Sequence, residues 1–255
     1  MPTPQEIIRT HDSMLASILS LFTYLATIPI GADNISILPS HQIVQSTKQQ
    51  NSEIEQLLDT NECEGCNLEN ADLQSARLRG AKLRGANMRN ANLSNANLEN
   101  ADLENTNLEN ANLESSNLRG AELENSYLRD AELENADLMN ANLEKANLEN
   151  ANLERSNLQI AKLDTTYLRG ANFQDANLQR ATLENANLQE ANFQRAILRD
   201  ALLDDAYMGN VNLRNADLRN ASLQDANLQG AKLAGTNLRG ANLKGVYLPD
   251  GTRNE

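Results

Sequence analysis

The sequence predicts an all-β solenoid, a stack of five-residue units in place of a conventional globular core. Three observations predict it. From Cys66 to Asp250 the chain divides into 37 consecutive five-residue units, without insertion or deletion, on the consensus Ala-(Asn/Asp)-Leu-X-X. The central residue is Leu in 33 of them, the others being Met88, Phe173, Phe193 and Met208. The residue two before the centre is Ala in 28 units, and its exceptions are small or β-branched: Cys66, Thr106, Ser116, Ser126, Ser156, Thr166, Val211, Thr236 and Val246.

A five-residue period fits neither an α-helix nor a flat strand, because those repeat every 3.6 and every 2 residues. Leu at every fifth position would spiral around a helix and leave no apolar face. The period closes if each unit turns a corner. The first residue and the centre then point inward, where the interior admits Ala and Leu, and the other three face outward. Asn and Asp suit the turns, since their side chains hydrogen-bond nearby backbone. Composition agrees: 3% of the 255 residues are aromatic and there is no Trp, which excludes an aromatic-rich core. Regular Leu spacing excludes disorder.

The units, standing here as ADLQS, AKLRG, ANLEN, ADLEN and AELEN, resemble the pentapeptide-repeat family over nearly three quarters of the chain. The resemblance implies a right-handed quadrilateral parallel β-helix with four units per coil. Residues 66–250 then make about nine coils, and a spacing of about 4.8 Å between parallel neighbours gives a length of about 43 Å.

The elements follow in chain order. Residues 1–32 are read as a signal peptide: Ser13 to Ala32 carries no charge and ends in small residues before Asp33. An uncleaved membrane anchor and a helix packed on the solenoid are the alternatives. Residues 33–50 are read as a polar linker. Residues 51–62 are expected to form a capping helix, with Ser52 and Glu55 as a capping box and Ile54, Leu57 and Leu58 as one apolar face over the first coil. Cys63 and Cys66 point inward, either as buried small apolar residues or, in an oxidising compartment, as a disulfide. The solenoid runs over 63–250. Pro249 and Gly251 end it, leaving the last coil open, covered by a short loop, or set against a partner, with 251–255 as a tail. Leu57, Leu58, Cys63, Cys66 and Leu68 also resemble the capped first coil of exported cyanobacterial members of the family. That resemblance implies the periplasm or thylakoid lumen.

With 20 residues per coil, residue n lies beside residue n+20, and the surface becomes legible. One wall alternates Glu69, Arg89, Glu109, Arg129, Glu149 and Arg169, an expected ladder of ion pairs. The same wall carries Tyr127, Tyr167, Tyr207 and Tyr247 every 40 residues, as a binding stripe or as large side chains packed over a flat wall. A neighbouring wall stacks Glu104, Glu124, Glu144, Asp164, Glu184 and Asp204, and another Glu114, Glu134 and Glu154. Residues 96–155 hold 14 acidic and 4 basic residues, a net charge of -10 out of -13 for the whole chain. This acidic belt is read as a solvated surface, a docking surface for a basic protein, or a weak Ca²⁺ or Mg²⁺ surface. Phe173 and Phe193 are expected to stack inside. Met139, Ile160, Ile197 and Leu202 interrupt the polar exterior.

These patterns argue against an enzyme. The repeats contain no His, so a His-based triad is absent, and no phosphate-binding glycine loop is present. No cofactor is expected. A metal site is not expected either, since the chain has two Cys, and its two His, His11 and His41, lie far upstream. The reading is a structural or protein-interaction module with an unidentified protein partner and no direct nucleic-acid binding. Membrane contact is expected only if residues 13–32 are retained. The family resemblance implies two further readings. One is a homodimer through the C-terminal coil. The other is DNA mimicry directed at DNA gyrase, against which stand the export segment, the local extent of the acidic belt, the absence of inserted loops, and the basic run Arg199, Arg219 and Arg239.

Overall fold

The computed structural model describes residues 40–255, with side chains from residue 48 onward. The signal-peptide or anchor segment, and residues 33–39 of the expected linker, lie outside the described residues. Helix α1 spans Ser40–Thr60, so it begins well before residue 51. This corrects the linker reading over 40–50. The stretch SHQIVQSTKQQ has no Gly or Pro and is rich in Gln, a good helix former. Ser52 is consequently mid-helix, and the Ser52/Glu55 capping box does not form.

α1 ends at Asn61, whose φ of 58° is left-handed and whose N–H still reaches the Leu57 carbonyl at 2.9 Å. A left-handed Asn just past a helix is a common stop. Leu57 is fully buried on the first coil and Ile54 packs beside it. Leu58 is 45% exposed, which corrects the three-residue apolar face. It lies about 100° round the helix from Leu57 and so faces away from the coil. α1 also satisfies part of the first coil's open backbone. A Glu53 carboxylate oxygen accepts the Asn67 N–H at 2.7 Å, and the Gln56 amide donates to the Glu62 carbonyl at 2.9 Å.

Parallel bridges join residue n to residue n+20 at every fifth position from Glu62 to Asn227. This is the register of four five-residue units per coil. The unit 171–175 shows why the consensus is what it is. Ala171 N–H closes a turn onto the Phe173-preceding unit at Leu168 O, 3.1 Å. Asn172 N–H bonds back to Ala151 O at 2.9 Å, and Phe173 and Asp175 N–H bond forward to Asn192 O and Gln194 O at 2.7 and 3.0 Å. The fifth donor, Gln174 N–H, bonds to the Oδ1 of Asn172 at 3.2 Å. All five N–H groups are thereby paired, as a packed backbone requires. The last residue of each unit turns the corner at a φ near +57°, as at Asn105 and Asn185. Gly also takes that position, as at Gly120 and Gly170, and a minority of corners carry other residues, among them Lys145, Arg155 and Ile160.

The central Leu and the first-position Ala residues are almost all fully buried. Phe173 and Phe193 stack with centroids 4.6 Å apart and planes 6° from parallel. The buried hydroxyls of Thr106, Ser126 and Ser156 each donate to the Leu carbonyl three residues earlier, at 2.6 Å. Cys63 and Cys66 form a disulfide at the base of the first coil, with Cys63 fully buried. At the other end the chain folds back, and Arg253 pairs antiparallel with Tyr247.

Candidate interaction surface

Each wall presents three outward positions per unit, one before the centre and two after it. The stack of Glu104, Glu124, Glu144, Asp164, Glu184 and Asp204 exists as expected, but most of it is matched inside the fold. Glu104 pairs with Arg84, Glu124 with Lys145 at 2.9 Å, and Glu144 with Lys162 at 3.8 Å. Asp164 accepts the Thr182 hydroxyl at 2.6 Å and the Glu184 N–H at 2.8 Å. Asp204 likewise accepts the Ser222 hydroxyl and the Gln224 N–H. These two aspartates replace the Asn that is missing at positions 182 and 222, so their role is structural. Glu184 has no cationic partner among the described residues. Its burial, and then Asp164, Asp204 and Asp205, push its carboxyl above the ordinary value of 4.5.

In the second stack, Arg155 joins Glu134 and Glu154, and Gln174 also donates to Glu154 at 3.3 Å. Glu114 has no cation within reach among the described residues. The alternating ladder forms in part. Arg129 meets Glu149 at 3.3 Å, whereas Arg169 turns to Glu190 at 3.0 Å. The expectation of strict pairing 20 residues apart is corrected here, because a long side chain also reaches the corner residue 21 away. Lys145–Glu124 and Arg155–Glu134 follow the same diagonal.

The basic run is broken by an acid the sequence pattern did not single out. Asp217 accepts from both Arg219, at 2.9 Å, and Arg199. Hydrogen bonds from Arg219, partly offset by burial, and then from Arg199 lower its carboxyl to about 2. Its position between Arg199 and Arg219 in the 20-residue register is the signal that finds it. Arg239 has no ion pair among the described residues.

Tyr127, Tyr167 and Tyr207 are 53%, 53% and 55% exposed. Tyr247 is less so, with the Arg253 guanidinium 5.5 Å from its ring centroid. Two shallow grooves lie between successive tyrosines. One, of about 380 Å³, is lined by Tyr127, Lys145, Asn147, Glu149 and Tyr167. The other, of about 350 Å³, is lined by Thr165, Tyr167, Asn187, Gln189 and Tyr207. Ile160 and Leu202 are exposed. Among the described residues no group of three or more His, Cys, Asp or Glu side chains is placed to hold a metal ion. No helix among them is long and apolar enough to cross a membrane.

A stack of five-residue units with four polar walls and a narrow Leu/Ala interior defines a solenoid repeat protein. A family model described as a pentapeptide repeat region matches residues 58–133 and 176–252, and one of eight pentapeptide repeats matches 121–159. The chain belongs to the pentapeptide repeat family, and its β-helix is the family's right-handed quadrilateral form. Among solved structures it is similar to HetL, a pentapeptide repeat protein involved in heterocyst differentiation regulation in the cyanobacterium Nostoc sp. strain PCC 7120. The identity is 36%, over 76% of this chain and 89% of that one, with a TM-score of 0.45. It is also similar to a pentapeptide repeat protein of the Arabidopsis thaliana thylakoid lumen, at 26% identity over 37% of this chain and 66% of that one, TM-score 0.35. Rfr23 from the cyanobacterium Cyanothece 51142 is 23% identical over 80% of this chain and 99% of that one, TM-score 0.27. No curated protein matches the chain.

Proposed function

We propose that this chain is a non-enzymatic interaction module that docks a basic protein partner on its acidic belt. The observation that carries this reading is the set of carboxylates the fold leaves unmatched. All four basic residues of the belt, Arg119, Arg129, Lys145 and Arg155, already sit in ion pairs. Asp102, Glu109, Glu114, Glu122, Asp130 and Glu132 have no cationic partner among the described residues. They fall in pairs, one pair on each of three walls: Asp102 with Glu122, Glu114 with Glu132, and Glu109 with Asp130. Reversing each pair to Lys, and recovering crosslinked partners from extract, tests the reading wall by wall. One double variant is expected to lose the partner while its melting temperature holds. Undiminished recovery with all three overturns the proposal.

The C-terminal end supports homodimerisation. The N–H groups of Leu233, Gly235, Leu238, Gly240 and Leu243 have no acceptor among the described residues, and their leucines are only partly buried. An open edge of this kind is a template for a second strand. Sedimentation is expected to show a dimer that Leu238→Lys dissociates; a monomer at high concentration overturns this. The Cys63–Cys66 disulfide supports export to an oxidising compartment. The native protein is then expected to lack residues 1–32 by intact mass, and a full-length mass overturns export with cleavage.

A further inference from the structure

The tyrosine wall differs from the others in carrying an exposed aromatic side chain at every second coil, Tyr127, Tyr167 and Tyr207. On the next wall four asparagines stack in succession, and each side-chain amide after the first donates to the Oδ1 one coil earlier. Asn172 reaches Asn152 at 3.1 Å, Asn192 reaches Asn172 at 2.9 Å, and Asn212 reaches Asn192 at 2.8 Å. On the tyrosine wall Tyr127 and Tyr167 take alternate places in the column, and no such ladder runs through them. Asn147 and Asn187 follow them by one coil and find no carbonyl there. Their Oδ1 atoms accept the N–H groups of Glu149 and Gln189, at 3.0 and 3.3 Å. Their Nδ2 groups have no acceptor among the described residues. Each groove therefore has two aromatic walls and a side-chain amide donor between them. Its charges are already spent: Lys145 on Glu124 and Glu149 on Arg129. The groove between Tyr167 and Tyr207 has no charged lining residue.

Such a site suits an uncharged ligand with exposed carbonyls and a fixed axial repeat. Coils about 4.8 Å apart place the tyrosines about 9.6 Å apart. A polyproline II helix rises about 3.1 Å per residue with three residues per turn, a repeat of about 9.3 Å, and leaves its carbonyls without internal partners. An extended β-strand repeats every two residues, at about 6.6–6.8 Å, and does not match. Aromatic-lined grooves are an established way of reading polyproline II ligands. We propose that the Tyr127–Tyr167–Tyr207 wall docks a proline-rich segment in the polyproline II conformation. Every third residue sits between two tyrosines, and the Asn147 and Asn187 amides donate to its carbonyls. Of the acidic belt's unmatched carboxylates only Glu109 and Asp130 share this wall, and neither lines a groove, so charge reversal of the other two pairs tests one reading and the peptide below tests the other.

The test is titration of the full chain with fluorescein-labelled decaproline, followed by fluorescence polarisation. Saturable binding is expected. Tyr167→Ala, which removes a wall from both grooves, should weaken it about tenfold or more, and Tyr167→Phe should retain it. The double variant Asn147→Ala/Asn187→Ala should also weaken it, with the melting temperature of each variant confirming the fold. Absence of saturation at millimolar peptide overturns the proposal, and so does binding that Tyr167→Ala leaves unchanged. Tyr167-dependent binding of cellohexaose without binding of decaproline assigns the wall to a glycan and overturns it equally.

Discussion

Asparagine has two separable roles in this chain, distinguished by position. Before the centre its Oδ1 accepts the N–H two residues on, as Asn172 does for Gln174 at 3.2 Å. At the corner it occupies left-handed φ, which L-residues avoid and Asn tolerates. Ile160 breaks the second rule: a β-branched, exposed side chain at a φ of 60°. A left-handed residue of this kind costs about 1–2 kcal/mol. Ile160→Asn is therefore expected to raise stability by about 1 kcal/mol in urea unfolding. Two acids should respond to pH in opposite senses. The folded-state carboxyl of Glu184 is raised above 4.5, so its charge opposes folding above that range and the penalty disappears as pH falls through it. Glu184→Gln should melt higher than the wild type at pH 7, with the gain fading as pH falls toward 4.5 and absent below it. Asp217 is lowered from 3.8 to about 2. Its contribution is complete above 3.8 and is lost as pH falls through about 2. Asp217→Asn should therefore melt lower at neutral pH, with the deficit closing toward pH 2.

At the scale of the element, the helix and the coils depend on different information. The coils are legible residue by residue, because Leu68 to Leu248 and the small residues before them mark every inward position. The disulfide was one of two options open at Cys63 and Cys66, since inward placement alone does not distinguish a bond from two thiols. The start of α1 is not legible in the sequence, because residues 40–50 are polar and polarity reads as a linker when no apolar periodicity marks a buried face. The ion pairs were half legible. Register places Arg169 beside Glu149, but only the reach of the side chain selects Glu190. In a solenoid each coil touches only its neighbours, so a defect should stay local. Leu57→Ala removes the buried anchor of α1 and should cost about 2–5 kcal/mol at that end. Hydrogen exchange is expected to accelerate from Cys63 through the first coil and to remain unchanged around Phe173 and Phe193. Uniform acceleration along the stack would show that the cap supports the whole solenoid.

For the whole molecule, the question is whether surface charge holds the stack together or strains it. Exposed ion pairs contribute only about 0–1 kcal/mol each, and every base in the belt is already used in one. The unmatched acids sit in columns. Asp102 and Glu122 are bridged neighbours on adjacent coils, about 4.8 Å apart, and like charges side by side on a sheet are destabilising. Repulsion should therefore outweigh attraction, and screening should stabilise the fold. Raising ionic strength from about 0.01 M to about 1 M shortens the Debye length from about 30 Å to about 3 Å. The melting temperature is expected to rise by a few degrees, at about 2–4 °C per kcal/mol for a chain of this size. Asp102→Asn with Glu122→Gln should raise the melting temperature at low salt and flatten its salt dependence, because the pair removes two charges and disturbs no ion pair. A melting temperature that falls with salt would mean that the fourteen acids of the belt are held mainly by their cations. The belt would then have no surplus charge to offer a partner.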